Sequence, residues 1–414
     1  MALQERIVVR IIIIGGGIVG LCSAVALAEA GHRVTIIDDD AGRHAASWGN
    51  AGHIATEQVA PLASPASLRT AFRRRFAAGG PLDLPLSGVR HWLGFLPRFL
   101  AAARPSAFRS GSAALGSLLY PALPAWRRMV GLAGKPMLLR ADGHYVLWES
   151  AATAQAGAAA WHAAEIGTAS LHAMEAAEMA RLASLVGVPI ADAVRFEGSG
   201  QITDLGMLAD ALEEAFYARG GTIERSPARL AIDDGRARVQ GHDADIIVVA
   251  AGVRSRALME QAGHVAPLIA ERGYHIRAAA GEWPADLPPL VFEDRAMIVT
   301  RFADTVQAAS FVEYHSPDAP PDPRKWDRLE QHVRELGLPL APPFTRWMGA
   351  RPTLPDYLPA IGRSRRVGNL VYAFGHQHLG LTLAAVTGEL VRTLIEQETP
   401  MVDLTPFDLA RFGE

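Results

Sequence analysis

The chain of 414 residues is 50% hydrophobic and 20% charged, with a formal net charge of −3. That profile is globular and excludes a disordered or fibrous protein, and its near-neutral balance gives no global nucleic-acid signal, so no nucleic-acid partner is expected. The length suits two or three units of roughly 100–200 residues, and the single cysteine, Cys22, excludes a disulfide framework and any multi-cysteine zinc or iron–sulfur site.

In chain order, residues 6–14 are β-branched and apolar without alternation, as in a strand buried on both faces of a parallel sheet. The apolar run 11–30 has the look of a signal or anchor, but Gly15, Gly16 and Gly17 interrupt it and it contains Glu29. A span of about 20 apolar residues is therefore not available, and a cytoplasmic protein, soluble or peripheral on the inner face of a membrane, is expected. The glycines predict a turn, 18–30 a helix of small residues, and 34–37 a second buried strand stopped by three aspartates: a βαβ unit. Residues 60–117 are rich in proline, arginine and aromatics, with a helix-like run at 91–103. A strand is predicted at 143–149, mostly helix at 151–185, and a helix at 207–219, capped by Thr203-Asp204 and closed by Gly220-Gly221. Strands follow at 222–225, 230–233, 236–239 and 244–251. The section 271–314 favours strands, including 297–302 and 306–311. After a proline-crowded loop (316–323) come a helix at 324–336, a strand at 370–374, a glycine-containing turn and a helix at 381–397.

Gly15-x-Gly17-x-x-Gly20 sits directly after a strand and opens a helix. One glycine makes the tight turn, one lets backbone approach a pyrophosphate, and one permits close helix–strand packing, with phosphates at the helix N-terminus beside Ile18 and Val19. Asp38 lies 18 residues beyond Gly20, where its carboxylate can accept hydrogen bonds from an adenosine ribose; it disfavours a 2′-phosphate, and so NADP. Asp39 is a further candidate there, or a solvated loop acid like Asp40. Cys22, inside the predicted helix, reads as a small buried hydrophobe rather than a redox thiol.

Three more segments suit a longer, permanently held dinucleotide, FAD, rather than NAD. Ala45 to His53 offers small and hydrogen-bonding residues, including Ser47, Asn50, Ala51 and Gly52. The strand 246–250 ends in Ala251-Gly252. Gly375-His376-Gln377-His378-Leu379-Gly380-Leu381-Thr382 opens the last helix, whose positive dipole end suits negative charge on a reduced flavin.

These segments together resemble the D-amino acid oxidase-like FAD-dependent oxidoreductases, closest to the D-amino acid dehydrogenase branch. The shared motifs are Ser47-x-x-Asn50-Ala51-Gly52, Ala250-Ala251-Gly252-x-x-Ser255, Gly349-Ala350-Arg351-Pro352 and Gly375-His376-x-x-Leu379-Gly380-x-Thr382. The resemblance implies non-covalent FAD, since no cysteine lies near the C-terminal turn. It also implies an α/β fold in which a Rossmann-like FAD-binding domain (1–60, 143–265 and 345–414) is interleaved with an α+β substrate domain (61–142 and 266–344) containing an antiparallel sheet.

On the substrate side, the resemblance makes Arg351 the partner of an amino-acid carboxylate, a role suited to a planar guanidinium; the alternative is a surface charge. Tyr274 matches a position near the substrate or is a core aromatic, and His53 sits by the flavin or substrate or is structural. His376 matches the family pattern, yet no residue is assigned as an obligate base, because hydride transfer from Cα to flavin N5 needs alignment and a neutral amine more than a strong base. No metal-ligand spacing stands out among the 14 histidines. The implied reaction is oxidation of a small D-amino acid by a dehydrogenase or oxidase, leaning to D-proline or cis-4-hydroxy-D-proline, to an imino acid that hydrolyses to a 2-oxo acid, with a quinone, the respiratory chain or dioxygen as acceptor. Alternatives are a glycine or sarcosine oxidase using dioxygen, and a non-enzymatic flavin-binding subunit docked on a membrane. For docking, residues 66–110 hold eight arginines against one acid, Asp83, with Trp92, Phe95 and Phe99 interleaved; a helical cover with a solvated basic face is the other reading.

Overall fold

The computed structural model describes residues 8–413. Two large sheets face each other across one cavity. The first has six strands in the spatial order 222–224, 33–37, 10–14, 246–249, 370–374 and 360–363, all parallel except the last. Ile13 pairs with Ile36 on one side and Val248 on the other. Its strands are apolar without alternation because both faces are covered. Ile11 and Ile13 pack under the helices Ile18–Glu29, Leu205–Ala218 and Gly380–Glu396, while Ile12 and Ile14 pack with Leu230, Val239 and Met259 on the other side. The predicted strand at 6–14 is observed as Arg10–Ile14; positions 6 and 7 lie outside the described residues.

The second sheet, mostly antiparallel, runs in the order 345–353, 269–279, 305–315, 297–301, 290–292, 144–148, 192–197 and 170–173, with 82–83 beside 305–315. The helix Pro323–Glu335 covers one face with Leu329 and Val333. A three-stranded ribbon of 53–54, 200–202 and 139–140 lies between the large sheets in the chain path.

Four expectations change. The strands 144–148, 170–173, 192–197 and 345–353, expected with the dinucleotide unit, are hydrogen-bonded into the second sheet. Sequence marks a buried strand such as His144–Trp148, but which sheet it joins is decided by its partners, here Asp192–Glu197 and, more than a hundred residues away, Leu290–Phe292. Conversely, the helices Pro105–Leu119 and Ala122–Leu132, expected with the substrate unit, bury Leu118 and Trp126 against the first core, and the Trp126 indole donates to the Leu381 carbonyl (2.8 Å). The run 91–103 is two short helices, Val89–Trp92 and Leu96–Ala102, split near Gly94, and 151–185 holds the strand Ser170–Ala173 between two helices.

The first and last helices cross very closely. A Cβ on Gly388 would stand 2.7 Å from the Cys22 carbonyl oxygen, so the wholly buried Cys22 is the small hydrophobe its neighbours suggested, its thiol pKa pushed up by burial. Two alanine substitutions are therefore expected to act oppositely in thermal unfolding. Gly388→Ala, forced against backbone, should destabilise by about 1–3 kcal/mol. Gly131→Ala, in an exposed helical turn with nothing near its Cβ, should stabilise by about 0.5–1 kcal/mol. A higher melting temperature for Gly388→Ala would contradict the close crossing.

Candidate active site

At its nucleotide end the cavity, about 1120 Å³, is lined by Gly15, Gly17, Ile18 and Val19 at the start of the first helix, by Asp38 and Asp39, and by Ala251 and Gly252. Gly15 takes φ +111° and its missing Cβ leaves room for the Ala250 carbonyl, so only glycine fits where the chain passes over the neighbouring strand. A Cβ on Gly16 would stand 2.7 Å from Asp38 Oδ2. The helix begins on glycine and has no capping side chain of its own; Ser47 Oγ accepts from the Ile18 N–H (3.0 Å) instead. Half-buried Asp38 lies 3.3 Å from Arg225, and burial raises its pKa. Asp40, expected as a loose loop acid, accepts from the His44 and Ala45 N–H groups and pins the 40–45 turn. These glycines leave open backbone beside a helix start with no capping side chain of its own, where Ser47 takes the Ile18 N–H, which fits a dinucleotide pyrophosphate, and the volume exceeds what a drug-sized ligand needs.

The other end is floored by two neighbouring strands, 269–279 and 345–353, in which Gly273 faces Gly349. Their lack of side chains opens a hollow. The Arg351 guanidinium lies across Gly273, and the Trp347 indole lies across Gly349 and Gly49. His275 stacks on Trp347 (4.9 Å between rings) and its Nδ1 faces the Gly49 carbonyl at 3.0 Å.

Arg351 is held from behind. Its Nη1 donates to Glu271 Oε1 (2.9 Å) and to the Phe311 carbonyl (3.3 Å), whose backbone has a positive φ of 73° beside a sheet irregularity. Glu271 is fully buried and also accepts from Tyr357 (2.8 Å) and Thr353 (3.2 Å); Tyr357 in turn is hydrogen-bonded to Tyr314. One edge of the guanidinium is thereby fixed and the rest faces the cavity.

Ser47, Asn50, Ala51, His53, His376, His378, Leu379, Gly380 and Leu381 also line the cavity. Gly20, Gly52, Gly375 and Thr382 do not. Gly20 packs on the Gly15 carbonyl, Gly52 and Gly375 adopt positive φ against Phe302 and Leu354, and the Thr382 hydroxyl accepts from the Ala55 N–H (3.0 Å). These four shape the wall from behind.

Tyr274 and His376, expected near the substrate, both line the cavity, but their polar ends bond away from it. The Tyr274 hydroxyl points to the opposite face of the sheet, donating to Glu313 (2.5 Å) and accepting from Arg272 and the Asp322 N–H, because strand alternation puts it on the face with Arg272 and packs its ring on Trp326. His376 turns its Nε2 into the last helix, against Thr387 (3.0 Å). His378 also lines the cavity: its Nε2 meets Gln58 (2.7 Å) while its buried Nδ1 has no hydrogen-bond partner. Burial pushes the pKa of His378 down to about 4 and of His275 to about 3, so both imidazoles are neutral at pH 7. Glu271, Trp347 and the facing role of His275 were missed in the sequence, although Glu271-x-Gly273-x-His275 on one face of a strand was a readable period-two signal. His53 turns its Nε2 toward Glu57 and His144.

Residues 10–394 match the family model described as FAD dependent oxidoreductase (DAO). The chain is 32% identical to a D-amino-acid oxidase of Bradyrhizobium diazoefficiens (97% of this chain, 99% of the relative) and 30% identical to a D-amino acid dehydrogenase 2 of Pseudomonas aeruginosa (96% and 97%). Among solved structures it is similar to glycine oxidase from Geobacillus kaustophilus, with a TM-score of 0.70 and 20% identity over 97% of this chain and 99% of that one. The reading as a non-enzymatic docking subunit therefore gives way, and the chain belongs to the D-amino acid oxidase (DAO) family of FAD-dependent oxidoreductases.

Proposed function

We propose that this enzyme oxidises small D-amino acids, with cyclic secondary substrates, D-proline or cis-4-hydroxy-D-proline, preferred. The observation that carries the reading is Arg351, laid across Gly273 in the cavity and clamped by buried Glu271. Its open edge suits a substrate carboxylate, and the flat His275–Trp347 pair beside it suits a compact ring that loses no rotamer freedom on packing. Bound FAD would supply the acceptor for a hydride from the substrate Cα. This chain's residues hold and orient. Gly15, Gly17, Ile18 and Val19 would hold the pyrophosphate and Asp38 with Asp39 the ribose. Ser47, Asn50, Ala51, Ala251, Gly252, Leu379, Gly380 and Leu381 would hold the flavin, with no covalent tether to the buried Cys22. Arg351 fixes which face of Cα is presented, and the neutral His378 and His275 put no positive charge beside the amine that must lose its proton. The product is an imino acid hydrolysed in water, or a pyrroline carboxylate from a cyclic substrate.

The arginine-rich segment 66–110 exposes Phe72, Leu86, Leu93 and Leu100 among its cations, and no described helix is long and apolar enough to cross a membrane. We infer that this face seats on an anionic bilayer and brings the enzyme to a quinone acceptor.

Under anaerobic conditions the flavin should be bleached by D-proline or cis-4-hydroxy-D-proline; bleaching by D-alanine but by neither of these would overturn the cyclic preference. Turnover with a quinone analogue is expected, and stoichiometric peroxide from glycine or sarcosine would instead favour the amine-oxidase alternative. Arg351→Met should lower kcat/KM about 100-fold or more, roughly 3 kcal/mol, and Glu271→Gln about 10-fold, both with FAD content retained. Because both imidazoles stay neutral above about pH 5, the acid limb of kcat/KM should follow the amine pKa of each substrate; a limb fixed near 6.5 for every substrate would point to a histidine base. Arg73, Arg74 and Arg75 changed together to Ser should abolish salt-sensitive co-sedimentation with anionic liposomes, and absence of co-sedimentation in the wild type would refute the docking face.

A further inference from the structure

At the cavity wall, His53, which belongs to the lining, converges with Glu57 and His144 behind it in a cluster that the proposed reaction does not use. All three are buried (9%, 2% and 2% exposed), and one potential ligand atom from each lies within 4.8 Å of the others. His53 Nε2 and Glu57 Oε2, 3.9 Å apart, have no hydrogen-bond partner. His144 donates or accepts through Nδ1 to Ser199 Oγ (2.8 Å), stacks on Phe196 (4.6 Å) and meets the His53 ring edge-on (4.5 Å), so its orientation is set from outside the cluster. Two orphaned buried polar atoms facing a fixed imidazole are costly unless something joins them.

We propose that this cluster is a binding site for one divalent transition ion, of the zinc class. Two imidazoles and a carboxylate are a borderline donor set that favours zinc over magnesium or calcium, and Ser199 on the far nitrogen of His144 orients that ring from outside the cluster, as an outer-shell hydrogen bond does. Donors bound 2.0–2.1 Å from one tetrahedral ion stand about 3.4 Å apart, so closure needs side-chain movements on the order of 1 Å. The ion takes Glu57 as a carboxylate and His53 and His144 as neutral imidazoles, so any proton on a ligand atom is released to solvent on binding. His53 lies on the ribbon strand 53–54 and His144 on the strand 144–148 of the nine-stranded sheet, so the ion would pin ribbon to sheet. It is a positioning site, with no part in the hydride transfer, and it does not depend on the substrate reading.

The test uses tag-free holoenzyme. Elemental analysis should find close to one zinc per chain. After chelator stripping that leaves FAD in place, titration with zinc chloride should show one calorimetric binding event and a raised melting temperature. Glu57→Gln and His144→Asn should each abolish that event at unchanged FAD content. Ser199→Ala, which leaves all three ligands in place, should weaken it about 10-fold or more and decides the matter if the ligand variants do not fold. Metal-free protein that neither binds zinc nor gains stability from it would overturn the proposal, as would unchanged affinity in the Ser199 and Glu57 variants, which would place the ion elsewhere.

Discussion

The close crossing of the first helix over the last is the constraint on which the rest of the molecule depends. Both lie on the same face of the six-stranded sheet, and Gly388 lets the last helix settle onto the backbone of Cys22. That contact brings the glycine turn at 15–17 and the turn at 375–382, more than 350 positions apart, to the rim of one cavity. A larger residue at either point of the crossing would part the nucleotide end from the flavin end of the same site. Small residues here are a packing requirement before they are a binding one.

At the substrate end, electrostatics does what packing does at the other. A guanidinium facing an apolar hollow would otherwise move toward solvent, losing little and gaining hydration. Buried Glu271, itself satisfied by Tyr357 and Thr353, makes that movement costly because it would leave a carboxylate unpaired in a dry interior. The pair is worth little as a net stabiliser and much as a means of fixing direction. The glycines at 273 and 349 complete the arrangement: they remove the side chains that would otherwise fill the space that Arg351 and Trp347 occupy.

What could be read from the sequence was what depends on near neighbours. The strand–turn–helix at 10–29, the Asp204-capped helix and the hairpin at 230–239 each carry their own periodicity and turn chemistry, and each formed as expected. The cavity-lining glycines and Asp38 were legible for the same reason. The facing of Tyr274 was not, because a shift of one position along a strand moves a side chain to the other face and only cross-strand pairing sets that register. Membership of 144–148 in the second sheet, and the meeting of His144 with His53 and Glu57, depend on contacts between distant segments that leave no spacing signal.

Ser47 caps the first helix from outside it, on the far side of the second strand. The start of that helix is thus completed only when the 40–50 turn, pinned by Asp40, has docked. Nucleotide affinity and the ordering of that turn are therefore thermodynamically linked: whatever steadies the turn tightens the dinucleotide, and a bound dinucleotide steadies the turn by the same free energy.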